Sequence, residues 1–330
     1  MKILFTGASS FTGAWIVPAL VRGGHDVTVT FTRGSLEAYD GLRRKRVERV
    51  LPFARAVWGV ESGDDRFLAL CRDQGPWDVL CLHGAEVGDY KAATFDWQRA
   101  VARNTRGYAE RFAALAAAGG RSVVLTGSYF EAHEGNPNGT SEAASPYGLS
   151  KTLTWQACRQ ECLRAGLALG KFVIPNPVGP LEEPKLVASL VRDWRGGRVP
   201  RLRTPLDICD NLPVHLLASE YVDFVAEMNS AGPRANTFRR PSGWVESVET
   251  FSQRVAREFG RRAGASFAVV ADLPPPGSKP TMRRNAVREE ISLPAGVGDQ
   301  FWSDWYAFYF SPVSDEKNLS ACGAGSAFTP

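Results

Sequence analysis

The sequence predicts an α/β fold: a doubly wound parallel sheet followed by a smaller C-terminal lobe. Three observations predict it. Short apolar runs alternate with helical stretches over the first half of the chain, a glycine-bearing turn directly follows the first run, and a proline-rich break at 175–180 ends the alternation.

Composition bounds the possibilities. The 330 residues are 44% apolar, enough for one large core or two smaller ones at ~100–200 residues per domain. With 39 basic and 35 acidic residues the net charge is +4, too balanced for a protein built to bind nucleic acid or a membrane surface. No run approaches the ~18 apolar residues of a membrane span. Cysteines at 71, 81, 158, 162, 209 and 322 form no C-x-x-C pair and lack the density of a disulfide scaffold. The short run Lys2–Phe5 turns at Gly7 and leaves no room for a signal peptide's apolar region. A cytoplasmic location is expected.

The elements follow in order. A strand at Lys2–Thr6 leads through Thr6-Gly7-Ala8-Ser9-Ser10-Phe11-Thr12-Gly13 into a helix at Gly13–Arg22. Gly7 permits the tight turn, Gly13 permits close helix–sheet packing, and the helix N-terminus offers N–H groups to a pyrophosphate. Ser9, Ser10, Phe11 and Thr12 complete this candidate cradle, with Ser10 where a full fingerprint has its middle glycine. A plain strand-turn-helix is the competing reading.

The second strand, Asp26–Thr32, ends without an acid between Val27 and Leu36. An NAD site usually places Asp or Glu there for the ribose 2′-hydroxyl. Thr32 and Arg33 point instead to the 2′-phosphate of NADP, which guanidinium matches bidentately; a solvated loop arginine is the alternative. Arg43–Arg46 reads as a solvated helix face. Trp77–His83 reads as a buried strand delivering His83, Gly84 and Ala85 to a cleft at its carboxyl end, and one helix is expected over Phe95–Ala118, with Asn104 a polar amide inside it.

Strand Arg121–Gly127 runs into Ser128, and Ser145-Pro146-Tyr147-Gly148-Leu149-Ser150-Lys151 opens a helix to Ala165. Pro146 suits a first helical turn. Tyr147 and Lys151, four residues apart, share one helix face with Cβ atoms roughly 5–6 Å apart. A neighbouring ammonium pulls a phenol below its free pKa of about 10, making Tyr147 a candidate proton donor and acceptor. Strand Lys171–Ile174 precedes the proline-rich break.

The glycine-bearing turn, Asn104, strand-end Ser128 and Tyr147-x-x-x-Lys151, in that order, resemble the extended short-chain dehydrogenase/reductases, in particular nucleotide-sugar epimerases and dehydratases. The resemblance covers roughly residues 1–240. It implies a Rossmann-like sheet at 1–175, with 205–240 returning to it, a substrate-binding lobe at 176–204 and 241–312, and a tail at 313–330. It implies Tyr147 as acid/base, Lys151 holding the nicotinamide ribose, Ser128 on the reacting oxygen and Asn104 on a relay water, with no metal. For substrate it implies Tyr129 beside Ser128, Asn176 and Arg283 on a sugar diphosphate, and Arg203 as one phosphate contact among basic side chains that are otherwise a solvated face. A homodimer through helices 95–118 and 146–165 is also implied. Two departures stand out. The acidic motif expected after strand three is unclear in 58–65, and the Asp-Glu that follows the active-site hydroxyl in 4,6-dehydratases is absent, with Glu131 one step too late.

These readings predict a nucleotide-sugar epimerase using NADP or NAD, NADP favoured, and working through a transient keto-sugar. Net NADPH-dependent reduction of a keto-sugar is the alternative. Dehydration, or a non-catalytic dinucleotide sensor, ranks below both.

Overall fold

The computed structural model describes residues 1–135, 141–273, 277, 279–285, 289–290 and 298–311. The tail expected at 313–330, with Cys322, lies outside the described residues. The described residues form two compact units, one drawn from 1–177, 210–245 and 282–290, the other from 178–209, 246–281 and 298–311.

The first unit is built on a parallel sheet. Strands β1 (Lys2–Thr6), β2 (Asp26–Phe31), β3 (Arg55–Trp58), β4 (Val79–Leu82), β5 (Ser122–Ser128) and β6 (Ala168–Ile174) are joined by a seventh strand, Asn236–Arg239. Their order is seventh strand, β6, β5, β4, β1, β2, β3, and every pair is parallel. The order reverses between β1 and β4, where such sheets open a crevice at their carboxyl ends.

Strand alternation feeds two cores. Ile3 and Phe5 of β1 enter one with Ile16 and Val17 of α1 (Gly13–Arg22), Val47 and Val50 of α2 (Gly41–Val50), and Tyr221, Phe224 and Val225 of helix Val214–Ser230. Leu4 enters the other, with Phe67 and Leu70 of α3 (Asp65–Asp73). That face is completed by helices α4 (Trp97–Thr105), α5 (Tyr108–Ala117) and α6 (Pro146–Ala165). Each fully buried large apolar side chain stabilises the sheet by about 1.5–3 kcal/mol.

Two expectations are corrected. The single helix over 95–118 is two, α4 and α5, broken at Arg106 and Gly107, where Gly107 adopts φ 68°. At the break buried Arg111 ties down two carbonyls: its guanidinium donates to Arg106 O and, at 2.9 Å, to Gly107 O, which also accepts the Arg111 backbone N–H at 3.1 Å. Arg46, read as solvated, is only 2% exposed, because α2 turns this face inward and its guanidinium covers Phe11 at 5.9 Å.

The second unit packs an aromatic helix, Asp299–Phe310, with helix Val248–Ala263: Phe259 meets Trp305 edge-on at 5.8 Å. Phe301, Trp302, Trp305 and Tyr309 are buried, so this aromatic run is core. Residues 282–285, assigned from sequence to the smaller lobe, group with the first unit. There Arg284 N–H donates to Gly135 O at 3.2 Å, and the Asn285 amide donates to Val173 O and Pro241 O, each at 3.2 Å.

Candidate active site

The glycine turn lies at the crevice. A Cβ on Gly7, which adopts φ 77°, would stand 2.5 Å from Gly84 N, so β1 and β4 approach here as only glycine allows. The Thr6 hydroxyl fastens the approach, accepting the N–H groups of His83 and Gly84 at 3.1 and 3.0 Å. A Cβ on Gly13 would collide with Gly7 O. Ser10 Oγ accepts the Gly13 N–H at 3.0 Å, so the residue replacing the fingerprint glycine closes the turn from inside. Ser9 and Ala85 are half-buried, Phe11 and Thr12 are buried, and Gly84 is exposed. Thr32 and Arg33 are exposed just beyond β2. This cradle, with an exposed cation at the end of β2, fits a dinucleotide.

His83 has a different part from the cleft wall expected of it. Its Nε2 lies 2.9 Å from Thr12 Oγ1 and its Nδ1 2.8 Å from Thr126 Oγ1, and it stacks on Phe5 at 5.2 Å. Burial, aided by the Lys151 charge, lowers its pKa to about 3, so the ring is a neutral strut between the turn and β5.

Helix α6 begins as the sequence demands, with Ser145 Oγ accepting the Gly148 N–H at 3.1 Å and Pro146 in the first turn. Gly148 admits the Phe130 carbonyl where a Cβ would collide with it, bringing the loop after Ser128 against Tyr147. The Tyr147 ring is bordered by Tyr90 at 5.6 Å, Phe95 at 5.8 Å and Phe130 at 6.2 Å. Arg283 covers Phe130 at 5.4 Å.

The electrostatics differ from the expectation at Tyr147. Its phenol is pushed well above the ordinary range by burial first, then by the charges of Glu131 and Tyr90, while a hydrogen bond with Ser128 acts the other way. Lys151, 4% exposed, spends one donor on Thr126 O at 2.6 Å, and burial lowers its pKa. Desolvation, and not the Lys151 ammonium as expected, therefore sets the direction of the phenol's shift.

Ser128, 8% exposed, ends β5; its Oγ accepts the Phe130 N–H at 3.3 Å. Tyr129, the next residue, is buried. Asn104, expected to hold a relay water, uses its amide on protein: Oδ1 accepts the Glu86 N–H at 2.8 Å and Nδ2 donates to Thr154 Oγ1 at 3.4 Å, tying the loop after β4 to α6. Asn176 donates to Asn211 Oδ1 at 2.7 Å. Arg203 is exposed in the second unit. Tyr90, Phe95 and Phe130 around Tyr147 were not anticipated, since nothing in their local pattern marks them. Lys171, a charge inside an apolar strand, was a legible signal.

A switch-point crevice with a glycine cradle, and a Tyr-x-x-x-Lys helix beside a strand-end serine, define an enzyme of the extended short-chain dehydrogenase/reductase class. The chain matches the NAD dependent epimerase/dehydratase family over residues 3–212 and belongs to it. Among solved structures it resembles the UDP-glucose 4-epimerase of Thermotoga maritima with UDP-glucose (16% identity, 94% of this chain and 98% of that one, TM-score 0.66). It also resembles a UDP-glucose-4-epimerase of Stenotrophomonas maltophila with NAD and formylated UDP-arabinopyranose (16%, 94% and 98%, TM-score 0.67). A dTDP-glucose 4,6-dehydratase of Streptomyces venezuelae with NAD is similar too (17%, 93% and 97%, TM-score 0.63). At such identities these likenesses speak for the fold. No curated protein matches the chain. Among the described residues no helix is long and apolar enough to cross a membrane.

Proposed function

We propose that the chain is an NAD(P)-dependent nucleotide-sugar epimerase acting through a transient keto-sugar. The observation that carries this reading is the convergence of Tyr147, Ser128 and Lys151 at the carboxyl end of β5, with a glycine cradle at the neighbouring switch point. A bound dinucleotide would supply the acceptor and donor of hydride. Tyr147 moves the proton at the sugar hydroxyl oxygen, and Ser128 hydrogen-bonds that same oxygen. Lys151 has three donors, one of which is on Thr126 O, leaving two for the ribose and the phenol. Gly7, Ser9, Ser10, Phe11, Thr12 and Gly13 hold the pyrophosphate, and Arg33 with Thr32 favours NADP over NAD.

Glu131 weighs against dehydration. Elimination needs a carboxyl group free to act on the sugar, and Glu131 is 1% exposed, with one oxygen on the Ser128 N–H and the other on Lys171. Net reduction is the second reading, favoured by Arg33, since reductases draw on the NADPH pool. Heat-denaturing the purified protein and identifying the released dinucleotide tests the choice. Retained cofactor supports an epimerase, which need never exchange it. Protein that comes empty and binds NADPH reversibly supports a reductase.

A further inference from the structure

Strand β6 carries a lysine in the middle of an otherwise apolar run, Ala168–Ile174. Lys171 is 4% exposed, and its Nζ lies 2.6 Å from Glu131 Oε2 and 3.6 Å from Glu134 Oε1. Arg240 pairs with Glu134 in turn, its Nε and Nη2 donating to Oε2 and Oε1 at 2.8 and 3.0 Å. The other oxygen of Glu131, Oε1, accepts the Ser128 N–H at 2.7 Å. Two carboxylates and two cations thus make a neutral set that ends on the backbone of the active-site serine.

Stability alone does not explain this arrangement. Apolar side chains of similar volume commonly stabilise a core as well as a buried ion pair or better. Glu131 Oε2 meets Lys171 at ion-pair distance without a well-angled hydrogen bond, so the pair is not shaped for strength. The backbone is shaped to admit it, however. A Cβ on Gly127, the residue before Ser128, would stand 2.8 Å from both Glu131 Oε1 and Lys171 Cε.

We propose that Glu131 is a positioning residue for Ser128: held by Lys171, its carboxylate fixes the last peptide of β5 and so sets where the Ser128 hydroxyl stands relative to Tyr147. The proposal rests on the reading of Ser128 and Tyr147 as the reacting pair. Glu131 itself touches no reacting atom. Its positioning effect runs through geometry, where a displacement of ~1 Å costs roughly 10²-fold in rate, and is separate from the effect of its charge on the Tyr147 phenol.

Two double variants separate positioning from packing. Glu131→Gln/Lys171→Met removes both charges and keeps an acceptor for the Ser128 N–H. Glu131→Leu/Lys171→Met removes the charges and the acceptor at similar volume. Both lose the same charges, so the charge effect on Tyr147 cancels between them; the second turns over roughly 10- to 100-fold more slowly than the first, with the dinucleotide KM the same in both. Equal turnover in the two overturns the proposal. Amide hydrogen exchange at Ser128, measured without substrate, is slow in wild type and the Gln variant and faster in the Leu variant; equal protection in all three also overturns it. Should the Leu variant not fold, Gly127→Ala presses a methyl onto Glu131 Oε1 with both charges intact. It speeds Ser128 exchange in the same way, and unchanged exchange there contradicts the proposal. Because exchange needs no substrate, a protein that turns over no nucleotide sugar defeats the functional reading while the exchange data still decide this one.

Discussion

The Lys151 ammonium stands 2.6 Å from the Thr126 carbonyl oxygen, committed to the end of β5, while Tyr147 one helical turn earlier is surrounded by aromatic rings. The pairing of phenol and cation read from their spacing therefore leaves the phenol, in the protein without cofactor, governed by desolvation.

The phenol of Tyr147 ionises above the ordinary value of 10 because burial and the Glu131 charge both oppose phenolate. An ultraviolet difference titration of cofactor-free wild type against Tyr147→Phe checks this. The Tyr147 phenolate band appears only on the alkaline side of pH 10, and a band emerging near neutrality contradicts the assignment of causes.

Replacing that phenol isolates its chemical role. Tyr147→Phe lowers kcat by at least ~10²-fold, since general acid–base catalysis typically contributes ~10²–10⁴. Dinucleotide affinity measured by titration stays nearly unchanged. Lys151→Ala lowers both turnover and cofactor affinity, and an effect on stability alone would make Lys151 structural.

His83 gives a pH dependence of stability with a definite sign. Its pKa is about 3 in the folded protein against an ordinary 6.5, so between these values the unfolded chain binds a proton that the folded one does not. The contribution of neutral His83 is whole above about pH 6.5 and is lost as pH falls toward 3. Urea denaturation of wild type from pH 7 to 4 shows stability falling with acid, and in His83→Asn that slope is shallower by up to one proton. Parallel slopes in the two proteins would refute the buried neutral strut.

Arg33 reports on cofactor choice. A charge-assisted contact to the 2′-phosphate is worth about 1.5–3 kcal/mol, so Arg33→Ala weakens NADP(H) binding roughly 10- to 150-fold and leaves NAD(H) little changed. Calorimetric titration of both dinucleotides into both proteins measures it. Equal weakening of the two means that Arg33 lies over the adenine instead.

Local signals were legible where one residue type is required by geometry. Gly7 and Gly13 mark the turn because a Cβ at either would strike the backbone, and Ser145-Pro146 marks the start of α6 through its cap. What stayed hidden depends on partners far away in sequence. The break between α4 and α5 is braced by Arg111, whose guanidinium hydrogen-bonds Ser62 as well as the Arg106 and Gly107 carbonyls. His83 is a strut only because Thr12 and Thr126 flank it, 71 and 43 residues away. Glu131 looked merely misplaced for dehydration until Lys171, on the next strand, came within 2.6 Å.

In an epimerase, hydride returns to the sugar it left. Incubating the purified enzyme with UDP-, GDP-, dTDP- and CDP-sugars, while following both isomer formation and the NAD(P)H absorbance, tests this most directly. One nucleotide sugar converts to its isomer with no lasting change in that absorbance. Stoichiometric loss of NADPH with a nucleotide-linked 4-keto sugar, and no isomer formed from any sugar, would contradict it.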